Sequence, residues 1–170
     1  MKLSIDKAFT NLASTDWNVV LTASDALVDL YKLEPNFFIV QRLVYSLSSE
    51  AEFERNGAAL ALREISHDYS VQPLFDSILQ FMNQSNISTL VYALENLNCS
   101  NHFDDIIALV FSTHWDTRLS ALNILKNQQF WIDDSDIYNA LDQVDKYKTN
   151  ENYDGDLAIL LTEFLNSLFC

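Results

Sequence analysis

Glycine and proline are nearly absent from this sequence, which contains two of each among its 170 residues. The turns of most β-sheets need more of these residues, and phosphate-binding loops are rich in glycine. The scarcity favours an all-helical chain and argues against a P-loop or a Rossmann nucleotide-binding site.

Segments that would direct the chain into a membrane are also missing. No apolar run reaches the roughly 18 residues that a membrane span needs. Residues 1–6 include an acid and lack the apolar stretch of a signal peptide. The two cysteines, Cys99 and Cys170, lie far apart in sequence, which is typical of free thiols in a reducing compartment. We therefore expect a cytoplasmic protein.

Basic residues are few, because 10 Lys and Arg face 24 Asp and Glu, giving a net charge of −14. Residues 86–170 hold thirteen of the acids and four of the bases. Affinity for nucleic acid comes largely from neutralising phosphates, so direct binding to nucleic acid or to an anionic membrane is disfavoured. The charge favours a basic protein partner, and solubility alone is the other interpretation.

One helical stripe recurs five times, with mostly apolar or small residues at i, i+3, i+6, i+7 and i+10. The copies run over residues 20–30, 55–65, 87–97, 115–125 and 154–164. A second apolar stripe follows each of the first four copies, at residues 40–47, 71–79, 103–111 and 137–144. The sequence therefore predicts paired antiparallel helices over residues 15–168. We expect one domain over residues 1–170, with copies that begin near 16, 50, 86, 115 and 154.

Local signals for helix ends accompany this pattern. Ser49 and Glu52 have the spacing of a capping box before the second copy. Asn101 and Asp133, each with an acid three residues on, predict the N-caps of two second helices. Gly57 falls inside a helix, where it costs about 1 kcal/mol relative to alanine, and its small size predicts tight packing there.

The second copy resembles a HEAT repeat. It reads Arg55-x-x-Ala58-x-x-Ala61-Leu62-x-x-Ile65 and is followed by Val71-x-Pro73-Leu74. The other copies keep the apolar frame and lose the arginine and proline. The resemblance implies a short right-handed α-solenoid of about five helix pairs, whose second helices line a concave face. It implies no particular chemistry, because such arrays serve many functions.

Residue patterns that carry catalysis or metal binding are not found. No two of the three histidines, His67, His102 and His114, have the spacing of helical metal ligands. No Cys-x-x-Cys pair or nucleophile motif occurs. A HEAT-like DNA glycosylase would need a basic concave face, whereas the second helices after residue 99 contain few bases. We expect no catalytic residue, no cofactor and no metal.

The acids of the C-terminal half are the strongest candidates for a binding surface. Asp133 and its neighbours cap a helix, which accounts for two of the three acids at residues 133–136. If the solenoid resemblance holds, Asp134 and Asp145 converge with the Asp104/Asp105 pair on one concave or end surface. Phe130 and Trp131 lie in a long turn beside them, either as interface anchors or folded back onto the last hydrophobic layer. The predicted partner-binding residues are Asp104, Asp105, Trp131, Asp133, Asp134, Asp136, Asp142 and Asp145.

In size, charge and HEAT-like architecture the chain resembles acidic bacterial immunity proteins of contact-dependent growth inhibition and polymorphic toxin systems. This resemblance implies a non-enzymatic protein, monomeric when free, that neutralises a basic toxin domain such as a nuclease by covering its surface. Two alternatives stay open: a HEAT-type scaffold or adaptor, and a HEAT-like chromophore lyase with an apolar groove.

Overall fold

The computed structural model describes residues 4–83, 87–151 and 153–169. Within these ranges the all-α prediction is confirmed, because they contain helices and no strand. The α-helices are α1 (Ile5–Leu12), α2 (Trp17–Leu33), α3 (Phe37–Ser46), α4 (Glu52–Ile65), α5 (Val71–Phe81), α6 (Ser88–Leu94), α7 (Phe103–Val110), α8 (Trp115–Asn127), α9 (Asp134–Lys148) and α10 (Gly155–Asn166). A 3-10 turn, Asp68–Ser70, precedes α5. Residues 1–3, 86 and Cys170, on which parts of the sequence predictions fell, lie outside the described ranges.

The nine apolar stripes fall on α2 to α10 in order. Helix α1 had no counterpart in the sequence prediction, although Ala8, Phe9 and Leu12 have amphipathic spacing and are buried. The side chain of Ser4 accepts a hydrogen bond from the backbone of Lys7 and starts this helix. None of the described helices has the length and apolar content that a membrane span requires.

The helix ends only partly follow the local signals. Asp133 forms the predicted capping box with Asp136 at the start of α9. The capping box predicted at Ser49 is wrong: α4 begins after Ala51, whose side chain has no hydrogen-bonding group. Ser49 instead donates its hydroxyl to the carboxylate of Glu54, 2.9 Å away. The N-cap predicted at Asn101 is also wrong, because α7 begins after His102.

The helices group into two compact units, Met1–Asn98 and Cys99–Cys170. In the first unit α4 packs against α2 and α6, and α1 contacts both α2 and α4. The crossing of α2 and α4 is close at Gly57, where an added Cβ would lie 2.4 Å from Cγ1 of Val20. Ser24 donates to the carbonyl of Gly57 at 3.0 Å and ties the same crossing together. The expectation of tight packing at Gly57 is confirmed.

Neighbouring helices pack in pairs that begin one helix earlier than the sequence pattern suggested. Helix α3 packs on α4, and α5 packs on α6. In the second unit α7 packs on α8, and α9 on α10. The second helix of each copy, namely α3, α5, α7 or α9, therefore makes its main contact with the first helix of the next copy. Helix α1 packs on α2 in the same way.

Two arginines show that both units use the same local arrangement. Arg55 is the fourth residue of α4, and its Nη1 donates to the carbonyl of Ser49 at 2.8 Å. Arg118 is the fourth residue of α8, and its Nη2 donates to the carbonyl of Ser112 at 3.1 Å. Both bonds reach back six residues, so Arg118 corresponds to Arg55.

This correspondence corrects the register expected for the fourth copy by three residues. In the corrected register Ala121, Ile124 and Leu125 match Ala58, Ala61 and Leu62, and all six are buried. The predicted stripe had placed Leu122 in the core, but the structure shows this side chain only half-buried. In α10 the stripe is displaced by one residue, because the buried residues are Leu157, Ala158, Leu161 and Leu165.

Candidate protein-binding surface

All the predicted partner-binding residues lie in the unit Cys99–Cys170. The structure separates most of them into two sets. We call Asp104, Asp105 and Asp136 the α7–α9 acidic cluster, because they lie at the starts of these two helices. We call Asp134, Asp142 and Asp145 the outer α9 acids. Trp131 and Asp133 precede α9 in the connecting loop.

The loop before α9 is fixed by hydrogen bonds to the segment before α7. The side-chain oxygen of Gln128 accepts from the backbone N–H of Cys99 at 2.9 Å. The backbone N–H of Trp131 donates to the carbonyl of Ser100 at 3.0 Å. Since both ends of residues 128–131 are held in this way, the position of the Trp131 backbone is set before any partner arrives.

The two aromatic residues of this loop have different environments. The ring of Phe130 lies 5.4 Å from the ring of Phe103 in an edge-on arrangement, so Phe130 does fold back onto the unit. Trp131 does not, because 82% of its surface is exposed. A large exposed indole on a fixed backbone has the composition and placement of an interface anchor.

The carboxylates of the α7–α9 acidic cluster interact with one another. Although most of the Asp104 side chain is exposed, partial burial raises its pKa, and the charges of Asp136 and Asp105 raise it further. Three carboxylates therefore share one region at an electrostatic cost, which an approaching cation relieves. Sequence reasoning did place Asp104 and Asp136 in one candidate surface.

His102 is the neighbour of this cluster that sequence reasoning set aside. Its Nδ1 lies 2.9 Å from Oδ2 of Asp105, and most of its side chain is covered. This contact orients the carboxylate of Asp105, whereas Asp104 does not pair with the histidine. Among the described residues no group of three or more His, Cys, Asp or Glu has the geometry to hold a metal ion.

Asp133 and Asp136 also have a local structural role. Asp133 accepts from the hydroxyl and backbone N–H of Ser135 and from the backbone N–H of Asp136. These bonds lower the pKa of the Asp133 carboxyl, with the hydroxyl of Ser135 as the largest cause. Oδ2 of Asp136 accepts in return from the backbone N–H of Asp133 at 2.8 Å. As expected, capping accounts for two of the three acids at this position, and Asp134 is the one outside the cap.

Asp142 and Asp145 lie on other sides of α9 than Asp136. Successive residues of an α-helix are about 100° apart, which places Asp142 about 120° and Asp145 about 180° around the axis from Asp136. Asp142 pairs with Lys146, and Asp145 pairs with Lys148 at 2.9 Å. These two acids are therefore neutralised within their own helix.

Charge compensation thus differs between the two sets. The four bases of this unit are Arg118, Lys126, Lys146 and Lys148. Among the described residues, none of them forms an ion pair with Asp104, Asp105, Asp133, Asp134 or Asp136. The negative charge around Trp131 is therefore not balanced by Lys or Arg of the same unit.

A second feature of this unit is an apolar groove of about 400 Å³ between α8 and α10. It is lined by Leu122, which was expected in the core, and by Leu160, which belonged to the predicted stripe of the last copy. Leu160 is 52% exposed, because the buried stripe of α10 passes through Leu161 and Leu165 instead. Aligning Arg118 with Arg55 rotates the stripe of α8 away from Leu122, and the contact of Arg118 with the carbonyl of Ser112 selects that alignment.

No protein-family model matches the chain, and a search of curated proteins finds no match. The HEAT-like resemblance therefore depends on the residues described above.

Proposed function

We propose that this protein is an immunity or inhibitor protein of the cytoplasm, which binds a basic toxin domain, such as a nuclease, and covers its surface. The α7–α9 acidic cluster and Trp131 form the centre of that contact. Nucleases are basic because they bind nucleic acid, so an acidic protein competes for the same surface. Opposite charge also raises the association rate.

The observation that carries this proposal is the pairing of uncompensated acids with a fixed, exposed tryptophan. Carboxylates that form no ion pair with Lys or Arg of their own unit attract a cationic partner. An exposed Trp131 on a hydrogen-bonded backbone gives that partner a large apolar contact and loses little conformational entropy on binding. Neither feature contributes visibly to the core of the unit.

The two acid sets have different roles in this proposal. In this proposal the cluster acids and Trp131 belong to one contact, in which the acids lose water when the partner binds and so govern dissociation. Asp142 and Asp145 already pair with lysines and stay at the rim, so they act mainly through long-range attraction. Asp133 and Asp136 contribute charge and also hold the start of α9 in place.

The arrangement as a right-handed HEAT-like solenoid of about five helix pairs is part of the same proposal. Its support is the repeated arginine contact of Arg55 and Arg118 and the equal pairing of helices within each unit. A solenoid offers an extended surface on which successive second helices meet one partner.

Inhibition of a toxin domain tests the proposed function. The proposal predicts that a gene next to that of this chain encodes a secreted protein with a variable C-terminal toxin domain, and that domain is the probe. We expect its activity to fall to zero at one equivalent of this protein. A triple variant that combines Trp131→Ala, Asp104→Asn and Asp105→Asn should need a large excess to inhibit the toxin domain. The control Tyr45→Ala removes another strongly exposed aromatic side chain and should inhibit as the wild type does. Full toxin activity in the presence of excess wild-type protein would overturn the proposal.

The chromophore-lyase alternative is kept because of the apolar groove between α8 and α10. Its volume of about 400 Å³ lies within the range of small-molecule sites. A tetrapyrrole that enters an apolar groove changes its visible absorption spectrum. A titration without any spectral change removes this alternative and leaves the general scaffold as the remaining one.

A further inference from the structure

We propose that the groove between α8 and α10 is the contact surface of a homodimer, in which a second copy of this chain covers it. Leu122 and Lys126 line the groove from α8, and Leu160 and Glu163 line it from α10. Leu119 lies one helical turn before Leu122 and is 44% exposed, so it extends the apolar surface along α8. A row of exposed leucines across two helices is typical of a protein contact.

The charges of the groove identify a second copy as its occupant. Lys126 comes from one wall and Glu163 from the other, and neither forms an ion pair with any described residue. In a two-fold symmetric contact, every contact occurs twice. If one residue of the first copy meets a different residue of the second copy, the same two residues also meet with the copies exchanged. Lys126 of each copy therefore pairs with Glu163 of the other, and one symmetric contact uses both charges twice.

The local charge balance also permits two acidic chains to meet here. Helices α8 and α10 together carry two bases and three acids, namely Arg118, Lys126, Asp116, Asp156 and Glu163. The other acids of this unit lie outside these two helices. Two copies that meet along α8 and α10 therefore avoid most of the repulsion that a net charge of −14 per chain creates elsewhere.

The dimer is a contact of modest strength and replaces the sequence-based expectation of a monomer. A contact confined to two helices per chain lies at the low end of stable interfaces, so we expect a Kd on the order of 10 μM. The α7–α9 acidic cluster takes no part in it. Dimerisation and binding of a basic partner therefore have separate tests, and either can fail alone.

Sedimentation equilibrium over about 1 to 100 μM, a range that brackets the expected Kd, measures the dimer directly. We expect Leu160→Glu to leave a monomer at all of these concentrations. Leu79→Glu is the matched control, because Leu79 is 62% exposed on α5, and its dimer should equal that of the wild type. Far-UV circular dichroism establishes that each variant is folded.

Charge exchange tests the symmetric pairing independently of the leucines. Lys126→Glu should weaken the dimer at least tenfold, because two carboxylates then face each other twice. The double variant Lys126→Glu with Glu163→Lys should recover most of this loss. A wild-type protein that stays monomeric up to 100 μM would overturn the proposal. The proposal would also be overturned if Leu160→Glu formed a dimer as stable as that of the wild type, or if the dimer of the double variant were no more stable than that of Lys126→Glu.

Discussion

A methyl group at Gly57 should destabilise the protein, although alanine is the better helix former. The added Cβ would lie 2.4 Å from Cγ1 of Val20 and 3.0 Å from Cδ1 of Leu12. Both neighbours are fully buried, and valine has one strongly preferred rotamer in a helix. Leu12 can move its terminal methyl, but Val20 cannot yield without shifting α2 away from α4.

Two effects of opposite sign set the size of the change. Overpacking a buried contact costs about 1–3 kcal/mol, and replacing glycine by alanine inside a helix gains about 1 kcal/mol. We therefore expect Gly57→Ala to lower the free energy of unfolding by about 1 kcal/mol. Urea denaturation followed by circular dichroism measures this value.

A control and a double-variant cycle separate the two effects. Gly155 begins α10, and among the described residues a Cβ there would meet Cε2 of Tyr153 alone, at an ordinary 3.7 Å. Gly155→Ala should therefore be neutral or stabilising. In a Val20→Ala background the clashing methyl is gone, so Gly57→Ala should become stabilising, with a coupling energy of about 2 kcal/mol. Equal effects of Gly57→Ala in both backgrounds would refute the close crossing of α2 and α4.

Three further predictions concern single side chains. Asp104→Asn should raise the Tm at pH 7, because the raised pKa of Asp104 shows that its charged form is disfavoured in the folded state. This gain in Tm should vanish below about pH 4, where the carboxyl is protonated in both the folded and the unfolded state. Burial raises the pKa of Cys99 to about 12, so iodoacetamide should leave this thiol unmodified in the native protein and alkylate it only after unfolding. Peptide mapping distinguishes its alkylation from that of Cys170. Ala61→Leu should lower the free energy of unfolding by about 1–3 kcal/mol, whereas Ala108→Leu at an exposed position of α7 should change it little; equal losses at both sites would contradict the assigned faces.

The helices were predictable from the sequence because their apolar spacing is a local property. The buried face of α4 follows directly from Ala58, Ala61 and Leu62 at helical intervals. The register of α8 was less certain, because Leu122 and Leu125 both fit an apolar stripe. Only the contact of Arg118 with the carbonyl of Ser112 decides between them, and that contact depends on how the chain enters the helix.

The candidate surface was predictable in part. The capping box of Asp133 and Asp136 is local, and helix periodicity alone separates Asp142 from Asp136. The exposure of Trp131 was not predictable, because it depends on a hydrogen bond to Ser100, thirty-one residues earlier in the chain. Sequence patterns do not report such a bond between a loop and a distant turn.

Binding kinetics with the basic toxin domain that the proposal predicts beside this gene test the central claim most directly, using two variants of equal charge change. One carries Asp104→Asn and Asp105→Asn, and the other carries Asp142→Asn and Asp145→Asn. We expect both variants to slow association by similar factors, and added salt above about 0.15 M to slow the wild type.

Dissociation is the decisive measurement within this experiment. The Asp104/Asp105 variant should dissociate at least tenfold faster than the wild type, whereas the Asp142/Asp145 variant should dissociate at the wild-type rate. Trp131→Ala should lose about 2 kcal/mol of binding free energy, or about thirtyfold in Kd, if its indole is the buried anchor. Equal dissociation rates for the two charge variants, a wild-type rate indifferent to salt and no effect of Trp131→Ala would contradict the account and reduce the acids to a solubility role.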